Sequence, residues 1–351
     1  GILVAAAQPV RSGIDFSAFR DPKLARELID RIHELVGDRA INLMEVCGTH
    51  TVSIGRYGFR SIMPAGLKLL SGPGCPVCVT ANRDIDHAIA LAKMDGAIIT
   101  TFGDMMRVPG SSTSLAAQKA AGRDIRIVYS PLDALDIAEQ NPDRPVIFMG
   151  VGFETTTPTI AAAILEADAR GLQNFSVYCA HKTTPPALRA IANDPETTID
   201  GFILPGHVAT MGLAPFDFLV DEFNTPGVVT GFEPVDILQG ICMLVQMVVE
   251  HRPAIDNAYR RGVNADGNPV ARHLVEQVFE PCNTTWRGLG PIANSGLSIR
   301  PEFARFDAGA RFDVPVEATV EPRGCRCGDV LRGAITPSSC PLFGHACTPE
   351  H

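Results

Sequence analysis

Residues 41–51 read INLMEVCGTHT. Ile41, Leu43, Met44 and Val46 form a short apolar run, which stops at Cys47 and Gly48 with two threonines around His50. An apolar run of this length, bounded by turn residues, is the pattern of a buried strand. The residues directly behind it carry chemistry, a thiol and an imidazole, and this arrangement recurs along the chain.

Leu67–Ser71 runs into GPGCPVC (72–78), and Ala97–Thr101 into FGDMMRVPG (102–110). Pro145–Gly150 leads to VGFETTTP (151–158), Ser176–Ala180 to HKTTPP (181–186) and Gly201–Leu204 to PGHV (205–208). Arg126–Ser130 and Gly227–Thr230 are further strand candidates, and helical patterns over Pro22–Leu35, Asp84–Met94, Pro158–Ala169 and Pro186–Ala192 lie between the runs. Strands alternating with helices predict an α/β fold of parallel sheets covered by helices. The first four strand candidates and the last four predict two similar α/β domains, residues 19–140 and 141–233. Gly, Pro, Thr and His gather at the carboxyl ends of the strands, the edge where parallel sheets place their ligand crevice. If the domains face each other, these loops line one cleft.

From about Phe232 the pattern changes. Ile237, Ile241, Leu244, Val245 and Val248 recur at helical spacing, loop-rich sequence including WRGLGPIANSG (286–296) follows, and a cysteine-rich tail closes the chain. Residues 234–351 are therefore read as a third, helical and cysteine-bearing region. Residues 1–18, beginning GILVAAAQPV, lack a basic n-region and are read as an extension without function.

Composition narrows the function. The 351 residues are 46% hydrophobic, enough for two or three domains with real cores. A net charge of −9 without any Lys/Arg run favours neither nucleic acid nor an anionic membrane. The longest apolar stretch, Ile237–Val249, is interrupted by Gln239 and Gln246 and falls short of the roughly 18–20 residues a membrane span needs. The ten cysteines sit in clusters rather than at staple-like intervals, so they read as metal or redox sites in a reducing, cytoplasmic setting. The sequence holds no GxxxxGK[ST] loop, no G-x-S-x-G elbow and no C-x3-C-x2-C motif, which leaves nucleotide-driven and serine-type catalysis without support.

Cys325, Cys327, Cys340 and Cys347 are spaced C-x-C-x12-C-x6-C. Four thiolates on short Gly- and Pro-rich loops wrap one tetrahedral ion or a cubane cluster. The C-x-C pair and the Cys340–Pro341 step lean towards iron–sulfur, with a zinc knuckle or two disulfides as the alternatives. Cys75 and Cys78 form a C-x-x-C between a strand and a predicted helix, where helix-end N–H groups stabilise a thiolate. That suits a reversible dithiol/disulfide pair, with metal ligation competing. Cys47 is either a buried strand-end cysteine or a soft ligand for iron with His50 three residues on. Its place beside the other strand-end motifs favours the ligand.

Glu154 with Thr155, Thr156 and Thr157 precedes a predicted helix, where a threonine cap with Pro158 in the first turn is expected; a carboxylate and hydroxyls there also suit a cation or polar ligand. His181 and His207 follow strands and read as solvated loop histidines, though His207 sits on a tight turn between Gly206 and Val208. Asp104 and Arg107 read as no more than a local ion pair. Cys179, Cys242 and Cys282 lack clustered partners and read as core cysteines.

Taken in order, MEVCGTHT, GPGCPVCVT, FGDMMRVPG, GFETTTP, LPGHV, WRGLGPIANSGL and GCRCGDVLRG resemble the HypD family of hydrogenase maturation factors, from about Phe19 to the C-terminus. The resemblance implies a scaffold working with a HypC-like small maturation protein and a HypE-like cyanide donor to assemble the Fe(CN)2CO group of [NiFe]-hydrogenases. It implies that Cys47 holds the transient iron with His50 in support, and that Cys75 and Cys78 are the redox pair. Cys325, Cys327, Cys340 and Cys347 are implied to bind a [4Fe-4S] cluster, which makes residues 234–351 an iron–sulfur region, and Glu154, Thr155, Thr156 and His207 to line the cleft. Such a chain is a redox-active assembly scaffold rather than a defined turnover enzyme. Members of that family continue past residues 348–350, and the sequence ends at His351. A stand-alone thiol–disulfide oxidoreductase with a structural zinc is the alternative.

Overall fold

The computed structural model describes residues 20–348, so the extension expected over residues 1–18 lies outside the described residues. Eleven strands are present among these: β1 (Ile41–Glu45), β2 (Leu67–Ser71), β3 (Ile98–Thr101), β4 (Asp124–Ile127), β5 (Val146–Gly150), β6 (Phe175–Cys179), β7 (Gly201–Pro205), β8 (Gly227–Thr230), β9 (Ile255–Asn257), β10 (Phe279–Trp286) and β11 (Gly290–Ile299). They form a first sheet of order β2-β1-β7-β8-β9, a second sheet of order β4-β3-β5-β6, and a β10–β11 hairpin. Every pairing in the two larger sheets is parallel. The expected α/β class and the two parallel-sheet units are thus observed.

The division of strands between the sheets differs from the expected split near residue 140. β1 and β2, from the first half of the chain, pair with β7, β8 and β9, whereas β3 and β4 pair with β5 and β6. The second unit is therefore an insertion between β2 and β7. Strand pairing is non-local, and a run of apolar residues carries no record of which run it will lie against.

The strands form because their runs are apolar on both faces. β5 and β7 are buried along their whole length, as parallel strands covered by helices on two sides must be. On one face of the first sheet Leu43 and Ile203 pack with Ile32 and Val36 of the helix Pro22–Val36 and Ile237 and Leu244 of the helix Pro234–Val249. On the other, Met44, Phe202 and Leu204 meet Leu188 and Ile191 of the helix Thr184–Ala192. The second sheet is covered by Ile85 and Ile89 on one side and by Ile160, Ile164 and Phe306 on the other.

Two further expectations change. The strand read over Arg126–Ser130 ends at Ile127, because Ser130 and Asp133 form a capping box that starts the helix Pro131–Gln140. The stretch read as loop-rich around WRGLGPIANSG is the β10–β11 hairpin. Its ladder reaches out by isolated bridges, Thr80 with Trp286 and Lys182 with Gly296, so it laces the loop after β2 to the loop after β6.

Each large sheet reverses its winding once. In the first the switch falls between β1 and β7, in the second between β3 and β5. A crevice opens at the carboxyl ends of strands on either side of such a point. The segments leaving these four strands are CGTH, PGHV, FGDMM and VGFETT, so the fold brings four of the marked motifs to the two positions where α/β sheets bind ligands.

Candidate functional site

Cys47 leaves β1 as the residue before the helix Gly48–Arg56. It is buried, with 6% of its surface exposed. The turn carrying Cys75 lies directly against it: the Gly48 amide donates to the Gly74 carbonyl at 3.0 Å and the Gly72 amide to the Glu45 carbonyl at 2.7 Å. A Cβ on Gly74 would stand 1.9 Å from the Cys47 nitrogen, so only glycine permits this approach. On the other side, a Cβ on Gly48 would meet the Cys75 Cβ at 3.4 Å. Two cysteine motifs some thirty residues apart in sequence thus share one backbone contact.

Cys75 and Cys78 are joined as a disulfide, with Cα atoms 5.2 Å apart. The Cys78 amide donates to Cys75 Sγ at 3.2 Å. The helix expected behind the pair is a single turn, Pro76–Val79, and the longer helix Asn82–Ala92 begins after Ala81. The macrodipole expected to favour a thiolate is therefore that of one turn, and the Cys78 amide is the local donor. Cys78 is exposed and Cys75 half-buried, so the pair faces outward beside the buried Cys47.

Burial raises the Cys47 thiol above its ordinary range, against the pull of the His50 and Thr49 amides. Glu45, fully buried on β1, accepts from the Cys47 amide at 3.1 Å and from the Thr51 hydroxyl. Its carboxyl is likewise raised by burial. His50 Nε2 lies 2.9 Å from the Gly231 carbonyl and 2.8 Å from Thr230 Oγ1, which places the proton on Nε2. Burial lowers its pKa to about 4. Nδ1 is left buried without a hydrogen-bond partner.

The second unit presents Glu154 from the segment after β5. Its carboxylate accepts the Thr184 amide and, at 2.8 Å, the Thr184 hydroxyl. His207 Nε2, from the segment after β7 in the first unit, stands 3.8 Å from Glu154 Oε2 and 3.5 Å from Thr184 Oγ1. Burial pushes Glu154 up and pushes His207 down to about 3, with the nearby His50 adding to the fall. Phe153 stacks on the His207 ring at 5.6 Å and on Trp286 at 5.9 Å.

Several expectations at this edge need correction. His181 is not solvated: it is buried, its Nδ1 is 2.9 Å from Cys179 Sγ, and its ring meets Phe279 edge-on at 5.3 Å. His207 keeps 13% side-chain exposure. No threonine side chain caps the helix Thr157–Ala169: Thr156 occupies the cap without a side-chain bond, and the Thr157 hydroxyl turns back to the Phe153 carbonyl at 2.8 Å. Thr155 is exposed and Thr156 half-buried. Lys182, fully buried, bonds Thr284 Oγ1 at 2.8 Å and pairs with Asp84 at 3.7 Å. Grooves of about 650 and 340 Å³ run along the helix Thr184–Ala192 and the hairpin tip; neither is lined by Cys47 or His50.

Sequence reading missed Glu45, Thr184, Trp286 and Lys182. A signal for Glu45 was present, a carboxylate inside an apolar strand run. Thr184 stood beside Pro185 and Pro186 as one of several equivalent hydroxyls, and nothing local marked it.

The four C-terminal cysteines occupy one neighbourhood. Burial raises the Cys327 thiol to about 11, and charge on Cys325, Cys347 and Cys340 adds to the rise. Cys340 is lowered instead, by the amides of Leu342, Arg326 and Phe343. Soft sulfur donors, with amide N–H groups aimed at one of them, are the donor chemistry that a thiolate-bound cluster uses. Their side chains do not converge as a cage: among the described residues, no group of three His, Cys, Asp or Glu side chains is arranged to hold a metal ion. Arg332 ties this region to the first unit through Asp194 at 3.0 Å and Glu196 at 3.2 Å, and reaches Asp329 at 2.7 Å.

Fold and site together define a two-sheet parallel α/β protein in which Cys47 and the largely buried His207 leave strands on either side of one sheet's switch point. Among the described residues, no helix is long and apolar enough to cross a membrane. The HypD family model, described as "Hydrogenase formation hypA family", matches residues 23–351. The chain is 46% identical to the hydrogenase maturation factor HypD of Rhodobacter capsulatus, over 95% of this chain and 92% of that protein. It is 43% identical to the HypD of Escherichia coli (strain K12), over 95% and 91%. The chain belongs to the HypD family of hydrogenase maturation factors.

Proposed function

We propose that the chain is a scaffold for assembling the Fe(CN)2CO group of [NiFe]-hydrogenases, with Cys47 holding the iron while a HypC-like protein and a HypE-like cyanide donor act on it. The observation that carries this reading is the contact between Cys47 and the Cys75 turn, sealed by Gly74. A buried thiol with a raised pKa stays protonated until a cation arrives, and a coordinating metal ion deprotonates it outright. Cys47 is therefore suited to gain its thiolate only when iron is delivered. His50, held neutral with a free Nδ1 lone pair, supports that position. Glu154 from the second unit, with Thr184 and His207 of the first, supplies a buried polar wall, with Thr155 and Thr156 at its rim.

Cys75 and Cys78 serve as the redox pair: reducing their disulfide takes two electrons and two protons. Cys325, Cys327, Cys340 and Cys347 are the residues that would bind a [4Fe-4S] cluster, with the Leu342, Arg326 and Phe343 amides stabilising negative charge on Cys340. When bound, such a cluster supplies electrons one at a time. Iron and acid-labile sulfide measured on anaerobically purified protein test the reading. Brown protein with about four irons and four sulfides per chain is expected; one zinc and no colour would point to a thiol–disulfide oxidoreductase with a structural zinc instead.

A further inference from the structure

Arg287 belongs to the WRGLG motif, which the assembly role leaves without a task. Its backbone amide donates to the Val79 carbonyl at 2.8 Å, one residue beyond Cys78. Its Nη2 donates to the Pro109 carbonyl at 3.1 Å, at the end of FGDMMRVPG, and its Nε is buried without a hydrogen-bond partner. The next residue, Gly288, has φ +79°. It lies so close to the C-terminal loop that a Cβ on Gly328 would stand 2.0 Å from the Gly288 carbonyl oxygen, and Gly328 follows Cys327. One short stretch thus touches the redox-pair turn on one side and the C-terminal cysteine loop on the other.

We propose that Arg287 is a positioning residue that joins the Cys75–Cys78 turn to the C-terminal cysteine loop and stabilises negative charge on the sulfur atoms of that loop. The inference rests on the cluster reading above. Burial lowers the Arg287 pKa, with Glu321, Cys327 and Cys325 leading the charges that oppose the fall, and a guanidinium remains charged even when largely buried. Reducing a cluster adds one negative charge. A fixed cation near Cys325 and Cys327, poorly screened by solvent, favours the reduced form.

The test compares full-length wild type with R287M, R287Q and R287K, all purified anaerobically. The cluster midpoint is followed by electron paramagnetic resonance during dithionite titration, and the Cys75–Cys78 couple by thiol alkylation in glutathione buffers. R287M and R287Q are expected to disfavour cluster reduction about tenfold, ~59 mV lower for a one-electron couple. The Cys75–Cys78 couple, which Arg287 meets only through its backbone amide at Val79, is expected to stay at the wild-type value. R287K, which keeps the charge, is expected to return the cluster midpoint to the wild-type value. Equal thermal destabilisation of all three variants with unmoved midpoints would mark a merely structural residue and overturn the proposal. Should R287M fail to fold, unchanged midpoints in R287Q overturn it alone. A wild type lacking both cluster signal and thiol couple would instead sink the cluster reading itself.

Discussion

Where the two units meet, Glu154 and His207 stand 3.8 Å apart, both withdrawn from water. Burial pushes the carboxyl up and the imidazole down, so each is biased to its neutral form. For His207 the folded pKa of about 3 lies below the ordinary value of 6.5. Between those values the unfolded chain binds the extra proton, so this group's contribution is present above pH 6.5 and is lost as pH falls. The loss is on the order of 1 kcal/mol per pH unit. His207→Gln removes the titration, so its stability deficit against wild type should shrink between pH 7 and pH 5 in urea unfolding; a deficit that stays constant or grows would contradict the burial argument. At this scale much of the site was legible. Cys47, His50, Cys75, Cys78, Glu154 and His207 announce themselves by type and by place behind a strand. Thr184 does not, because its value lies in bonding Glu154, a residue thirty positions away. His181 misled for the opposite reason: a loop position suggests water, and the β10–β11 hairpin that covers it comes a hundred residues later.

At the scale of elements, apolar runs located the eight strands of the two large sheets that sequence reading had marked, because a strand covered on both faces needs no alternation. The exceptions have local causes. Ser130 was read as strand and is a cap, accepting the Leu132 amide at 3.2 Å while Asp133 takes the Ser130 amide at 2.9 Å. Ser130→Ala should cost about 1 kcal/mol in urea unfolding; no measurable change would mean that the capping box contributes nothing. The hairpin was missed because Pro281, Gly290, Pro291 and Gly296 punctuate both strands like a loop. The register also shifts between Cys282 and Thr284, and Asn294 adopts φ +52°. Bridges from Thr80 and Lys182 supply the partners that its own sequence does not advertise. The one-turn helix behind Cys75 shows a related effect: Pro76 starts a helix, and the extended Thr80 stops it after four residues.

For the whole molecule, the first sheet is built from both sides of an inserted unit, and that insertion makes the site. β1 delivers Cys47 and β7 delivers His207 to the same switch point, while the inserted unit turns Glu154 and Phe153 towards them. Sequence reading anticipates two α/β units but places their boundary by counting strands, and pairing across 150 residues leaves no trace in local pattern. The Cys47–Cys75 contact also belongs to this scale, since it joins the ends of two neighbouring strands through a turn that only glycine allows. The central claim is that iron carrying its diatomic ligands rests on Cys47. Infrared spectroscopy of the anaerobically purified chain mixed with a HypC-like small maturation protein tests it most directly. Wild type should show cyanide and carbon monoxide stretching bands, and Cys47→Ala, folded and with its C-terminal cysteines intact, should show none. Bands of undiminished intensity in that variant would place the iron elsewhere and contradict the account.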